Sequence, residues 1–106
     1  MGQSLVIVIV NAGFADDVMD AARKANAFGG TVISGRGTAK EEAEKLFNIN
    51  INPEKEVVLI IADNSIKDDI LHNVYKEVGL NSPGQGIAFT LPVEEAVGIQ
   101  NKIEQK

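Results

Sequence analysis

Arg36 is one of only two arginines in the chain and stands between two glycines, Gly35 and Gly37. A planar guanidinium in a glycine-lined turn can take an anionic group through paired N–H donors while neighbouring backbone amides complete the site. The competing role is a surface ion pair with Glu41 or Glu42. A second candidate is the turn Gly84-Gln85-Gly86, which runs straight into the apolar Ile87-Ala88-Phe89. Its glycines can adopt positive φ or let a ligand approach the backbone closely, and a tight entry into a strand uses the same spacing. Thr31 carries a hydroxyl able to bond a base edge, although threonine in a strand is commonly there as a β-former. His72 is the sole histidine and falls mid-helix, where packing or exposure accounts for it. The paired acids at 16–17, 41–42, 68–69 and 94–95 occupy helix starts or a solvated face.

Composition removes several classes of chemistry. Cysteine is absent, so disulfides and thiolate metal sites are excluded. Fifteen acids against ten bases give a net charge of −5, which argues against general nucleic-acid binding through phosphate neutralisation. An anionic small ligand remains compatible, because a local pocket can differ from the average surface. The longest apolar run, Leu5 to Val10, is far short of the roughly 20 residues of a membrane helix. No basic segment precedes it, so a secretory leader is not expected. With 106 residues and 44% apolar content, one compact domain over 1–106 is expected, in the cytoplasm and without membrane insertion.

The elements that must position these residues form two similar halves. Val6-Ile7-Val8-Ile9 and Val58-Leu59-Ile60-Ile61 are both strand-like, and Asp16-Asp17-Val18 is echoed by Asp68-Asp69-Ile70. The first strand should span Leu5 to Asn11, its unbroken apolar run suiting a central strand with its faces largely covered. A helix from Ala15 to Phe28 buries Phe14, Val18, Ala21, Ala22, Ala25 and Phe28, and Gly29-Gly30 end it. Thr31 to Ser34 is the second strand and Glu56 to Ala62 the third. Ser65 is the candidate N-cap of a helix burying Ile66, Ile70, Val74 and Val78, which Gly79 stops. Ile87 to Leu91 is the fourth strand. Two strand–helix–strand halves predict an α+β, ferredoxin-like sandwich: an antiparallel four-stranded sheet with both helices on one face. The opposite face of strands this apolar would expose a patch of several hundred Å² unless other copies of the chain cover it.

Between the halves, segment 38–54 has the most freedom. Thr38-Ala39-Lys40-Glu41 fits a capping box, and Ala39, Ala43, Leu46 and Phe47 recur at helical spacing, predicting about two turns of helix. The alternating Asn48 to Pro53 should be extended.

Several of these segments, in order, resemble the P-II signalling family. Asp16-Asp17-Val18 is similar to its Leu-Asp-Asp-Val, Gly30-Thr31-Val32 to its Gly-Met-Thr-Val, and Ser34-Gly35-Arg36-Gly37 to the Lys-Gly-Phe-Gly that opens its T-loop. Gly84-Gln85-Gly86-Ile87 followed by Leu91-Pro92-Val93-Glu94-Glu95 is similar to the family's Gly-Asp-Gly-Lys turn and Leu-Pro-Val-Glu-Glu strand end. The details look most like a divergent subgroup with a short T-loop. The resemblance implies a homotrimer with three sheets turned inward and no enzymatic activity. It also implies signal transduction of the nitrogen-regulation type, with an adenine nucleotide or related anion in inter-subunit clefts. Ligand contacts would fall to Thr31, Gly35, Arg36, Gly37, Gly84, Gln85, Gly86 and Ile87. A partner protein, such as a membrane transporter, would be met by Thr38, Lys40, Leu46 and Phe47 on the loop. No metal ligands are expected, and residues 92–106 form a C-terminal tail.

The departures from the family pattern concern charge. Ile87 stands where the family's phosphate-binding lysine follows the turn, Gln85 replaces the turn's acid, and Gly98 and Gln100 replace two arginines. Each lost cation removes a charge-assisted contact of about 1.5–3 kcal/mol, so the three together weaken triphosphate binding by about a thousandfold at least. The only tyrosine, Tyr75, is not in the loop, and no glutamine lies between Arg36 and Glu56 to hold magnesium and 2-oxoglutarate. Two alternatives use the same fold. One is a small acylphosphatase-like enzyme drafting Arg36 with Asn48, Asn50 or Asn52, and the other a ligand-free structural trimer.

Overall fold

A computed structural model describes residues 2–38 and 53–98. The order of elements is β1 (Gln3–Asn11), α1 (Ala15–Lys24), β2 (Thr31–Arg36), β3 (Glu54–Asp63), α2 (Lys67–Val78) and β4 (Ile87–Val93). They form one antiparallel four-stranded sheet of order β2-β3-β1-β4. Side chains alternate across a strand, so Val6, Val8 and Val10 of β1 join Val58, Ile60 and Ala62 of β3 beneath the two helices. α1 contributes Val18, Met19, Ala21 and Ala22 to this core and α2 contributes Ile70, Val74 and Val78. The Asn73 amide of α2 donates to the Ala21 carbonyl of α1 at 3.1 Å, fixing one helix against the other.

Among the described residues nothing forms a layer over the opposite face. Leu5, Ile7 and Ile9 of β1 pair with Ile61, Leu59 and Val57 on one side and with Leu91, Phe89 and Ile87 on the other. Ile33, Ile61, Ile87, Phe89 and Leu91 stay 42–51% exposed here. β1 is therefore central in the sheet but covered on one face only by the described residues.

The local boundaries differ from expectation in three places. α1 ends at Lys24, before the Gly29-Gly30 pair, because Asn26 takes φ 74 and closes the helix itself. The Asn26 N–H donates to the Arg23 carbonyl and the Ala27 N–H to the Ala22 carbonyl, the pairing of a Schellman motif with asparagine in the left-handed position. Phe28 consequently falls beyond the helix and is 71% exposed rather than part of the core. At α2 the cap position is Ile66, not Ser65. The Ser65 N–H instead donates to Asp63 Oδ1 at 2.9 Å, and that bond holds the Asp63 carboxyl below its ordinary pKa. The strands run longer than the apolar runs: β2 continues to Arg36, β3 begins at Glu54 and β4 carries Pro92. Proline is tolerated there because β4 is an edge strand.

Candidate functional site

Antiparallel pairing sends the C-terminal ends of β1 and β2 and the N-terminal ends of β3 and β4 to one end of the sheet. In register, Gly35 of β2 faces Lys55 of β3, and Lys55 faces Asn11 of β1. The Lys55 ammonium donates to Asn11 Oδ1 at 2.7 Å. Asn11, buried to 7% exposure, donates its own Nδ2 to the Pro83 carbonyl at 2.9 Å and approaches Gln85 Oε1 at 3.5 Å. Its backbone N–H donates to the Gly84 carbonyl at 2.8 Å. Asn11 and Lys55 thus connect the Gly35–Gly37 segment to the Gly84–Gly86 turn, although neither was among the expected ligand contacts. The signal available for Asn11 was a lone polar residue ending an apolar strand. Lys55 sat between two acids in a run that reads as solvated.

The glycine turn has a packing reason of its own. Gly84 and Gly86 do not take positive φ; Gln85 between them does, at 47°. Gly86 donates its N–H to the Val78 carbonyl at 2.6 Å, and a methyl there would lie 2.9 Å from Val10 Cγ1. A methyl on Gly84 would meet Val78 Cβ at 3.1 Å. The Gln85 N–H goes to the Ser82 carbonyl. Both amides flanking the second half of the turn are therefore bonded inward, and Pro83 has none to offer.

On the other side, the Gly37 N–H donates to the Pro53 carbonyl at 2.6 Å, closing the base of the loop between β2 and β3. A Cβ on Gly37 would sit 2.9 Å from Lys55 Cε, so the glycine leaves room for the lysine stem. Arg36 is exposed at the end of β2, opposite Glu54 in register. Thr31 pairs with Leu59 and lies four residues up the strand, about 13 Å from Gly35 at the usual rise. Ile87 opens β4 on the uncovered face, 51% exposed. Arg36 and the glycine turn belong to the two edges of the sheet, three strand spacings or about 14 Å apart. The described residues of one chain therefore do not close both around a small group. Of the loop residues, Thr38 is exposed, while Lys40, Leu46 and Phe47, the capping-box helix, Glu41, Glu42 and the three asparagines lie outside the described residues, as does Gln100.

The turn between β1 and α1 is already occupied by the protein's own carboxylate. Glu56 Oε1 accepts from the Gly13 N–H at 2.9 Å and the Ala15 N–H at 3.1 Å, compensating the start of α1 where Phe14 supplies no side-chain cap. Among the described residues no cluster of three or more histidines or acids could hold a metal ion, and no helix is long and apolar enough to cross a membrane.

The sequence matches the family described as nitrogen regulatory protein P-II over residues 3–102. The chain belongs to the P-II family. No curated protein matches it closely. Among solved structures, a protein from Thermus thermophilus described as PII-like and signalling is similar at 16% identity, with TM-score 0.66 over 88% of this chain and 87% of that one. The Bacillus subtilis GlnK–ATP complex is similar at 17% identity and TM-score 0.62, covering 87% and 82%. A Pediococcus pentosaceus protein reaches 19% identity and TM-score 0.64, covering 91% and 96%. At these identities the structural likeness speaks for the fold, the P-II ferredoxin-like sandwich. Membership makes this P-II chain a signalling protein of a regulatory family.

Proposed function

We propose that this P-II chain works as a homotrimer that senses a small anionic ligand, an adenine nucleotide or a related molecule. The ligand would sit in clefts between subunits, and the signal would pass to a partner protein in the cytoplasm through the short loop between β2 and β3. The observation that carries the reading is the closure of that loop by Gly37 and Pro53 at the same sheet end as the glycine turn. A ligand at this end contacts the loop base directly, and it biases the loop only by binding one of its arrangements better than another. The ATP complex of the related GlnK supports nucleotide as the ligand class. The uncovered row Ile7, Leu59 and Phe89, with its neighbours, supports assembly through the sheet faces. A membrane transporter is the kind of target the family resemblance suggests. Arg36 and Ile87 lie on different edges of one sheet, which favours a cleft completed by a second subunit.

The acylphosphatase-like alternative needs free backbone amides in an anion-binding turn, and the β1–α1 turn gives two of its amides to Glu56. Thermal denaturation with a nucleotide panel tests the sensing role, since a ligand at 100 times its Kd adds about 2.7 kcal/mol of stability. Hydrogen exchange of residues 35–53 with and without the best ligand tests the switch. Absence of any stabilisation by nucleotides refutes the ligand class, and identical protection of the loop refutes the switch.

A further inference from the structure

The charge expected after the glycine turn is missing from positions 87, 98 and 100, and the fold supplies a different cation at the same sheet end. Lys55 rises from β3 between the two glycine-rich segments, on the sheet face turned away from the helices. Two contacts fix its course. Gly37 leaves room for its stem, and Asn11 accepts from its ammonium at 2.7 Å. Asn11 is itself held by Pro83 and Gly84, so the ammonium is tied to the turn. An ammonium has three donors, and the bond to Asn11 uses one. The lysine can therefore take an anion without giving up the contact that places it.

We propose that Lys55 is the anion-binding residue of this sheet end, positioned by Asn11, and that the group it takes is a single phosphate of a phosphate ester rather than a triphosphate. The charge nearby sets that preference. Side chains alternate across a strand, so Arg36 and its register partner Glu54 lie on the other face of the sheet, and Glu56 on that face accepts from Gly13 and Ala15; Lys55 is the one cation that the described strand residues place on the face turned away from the helices. One phosphate engages that single ammonium, whereas a second and third phosphate bring further negative charge with no further cation from the described strands of this face. This inference rests on the proposed sensing site and names its ligand's charged part.

Two measurements test it. In protein labelled at lysine Cε, inorganic phosphate at constant ionic strength should move the Lys55 resonance saturably, with the signal assigned by its loss in Lys55→Met. A Lys55 signal unmoved by phosphate overturns the proposal, whatever nucleotides do. Calorimetry then compares adenosine, AMP and ATP. The expected result is AMP tighter than adenosine by about tenfold or more, ATP no tighter than AMP, and the AMP-to-adenosine gap abolished in Lys55→Met. Lys55→Gln provides the same comparison should the methionine variant fold poorly. A gap that survives both substitutions, or adenosine and AMP weakened equally, overturns the assignment, the second because it marks a structural role. A wild-type protein that binds none of the three compounds while phosphate still moves Lys55 refutes the nucleotide reading and leaves the anion site standing.

Discussion

Two glycine substitutions separate packing from ligand approach at this site. Gly86 donates its N–H to the Val78 carbonyl at 2.6 Å, and an added Cβ would be 2.9 Å from Val10 Cγ1 and closer still to that carbonyl oxygen. Neither neighbour can yield cheaply, because Val10 is wholly buried and the carbonyl belongs to the last turn of α2. Gly86→Ala should therefore incur overpacking of about 1–3 kcal/mol plus about 1 kcal/mol for the displaced hydrogen bond. At about 4–8 °C per kcal/mol for a domain of this size, a loss of 2 kcal/mol lowers Tm by at least about 8 °C. Gly35 is the control. Its Cβ would meet Val57 Cγ2 at 3.6 Å, an ordinary contact, and its φ is not positive. Gly35→Ala should leave stability within about 1 kcal/mol of wild type, with any gain coming from lost glycine entropy. Both variants are compared by thermal and urea denaturation without ligand, at one protein concentration because assembly makes Tm concentration-dependent. A Gly86→Ala protein melting within 2 °C (about 0.5 kcal/mol or less) of wild type would refute the packing argument. A Gly35→Ala protein of unchanged Tm that binds ligand less well would show that the glycine at 35 serves the ligand rather than the fold.

Phe89→Glu places a carboxylate midway along the edge strand β4 on the face turned away from the helices, opposite Ile7, and should convert the proposed trimer to monomer in light scattering; a wild type that is already a stable monomer at micromolar concentration refutes the assembly. Glu56→Ala leaves the Gly13 and Ala15 amides without their acceptor and should cost about 1–2 kcal/mol by urea denaturation; an unchanged midpoint would show that water replaces the carboxylate fully. Arg36→Ala should weaken ligand binding while leaving Tm of the free protein nearly unchanged, since Arg36 is exposed at a strand end; unaltered affinity for every ligand the wild type binds removes it from the site.

The four strands and two helices were legible because the elements carry patterns of their own: unbroken apolar runs in β1 and β3, and a three-to-four-residue spacing in α1 and α2. What the pattern could not reveal was set by a single backbone dihedral or by pairing across the sheet. Asn26 ends α1 through a left-handed conformation, a property of one residue that leaves the apolar rhythm running on to Phe28. The glycine turn shows the same limit. Its spacing suits ligand approach and strand entry alike, and only the proximity of Val78 and Val10 reveals that the chain itself requires the missing side chains.

The cation at the sheet end is the longest-range case. Lys55 is 44 positions from Asn11, and Asn11 is 72 from Pro83, so no local window contains any two of the three. Counting cations position by position against the family pattern finds three absent and no replacement. Antiparallel pairing brings another cation to the same sheet end from a different strand, with Gly37 leaving room for its stem. Charge at a binding site is a matter of place rather than of sequence position, because Coulomb attraction depends on distance and dielectric and not on which strand carries the charge. The affinity expected for an anionic ligand thus follows from the register of β1, β2 and β3, which brings Lys55 beside Asn11 and near the glycine turn.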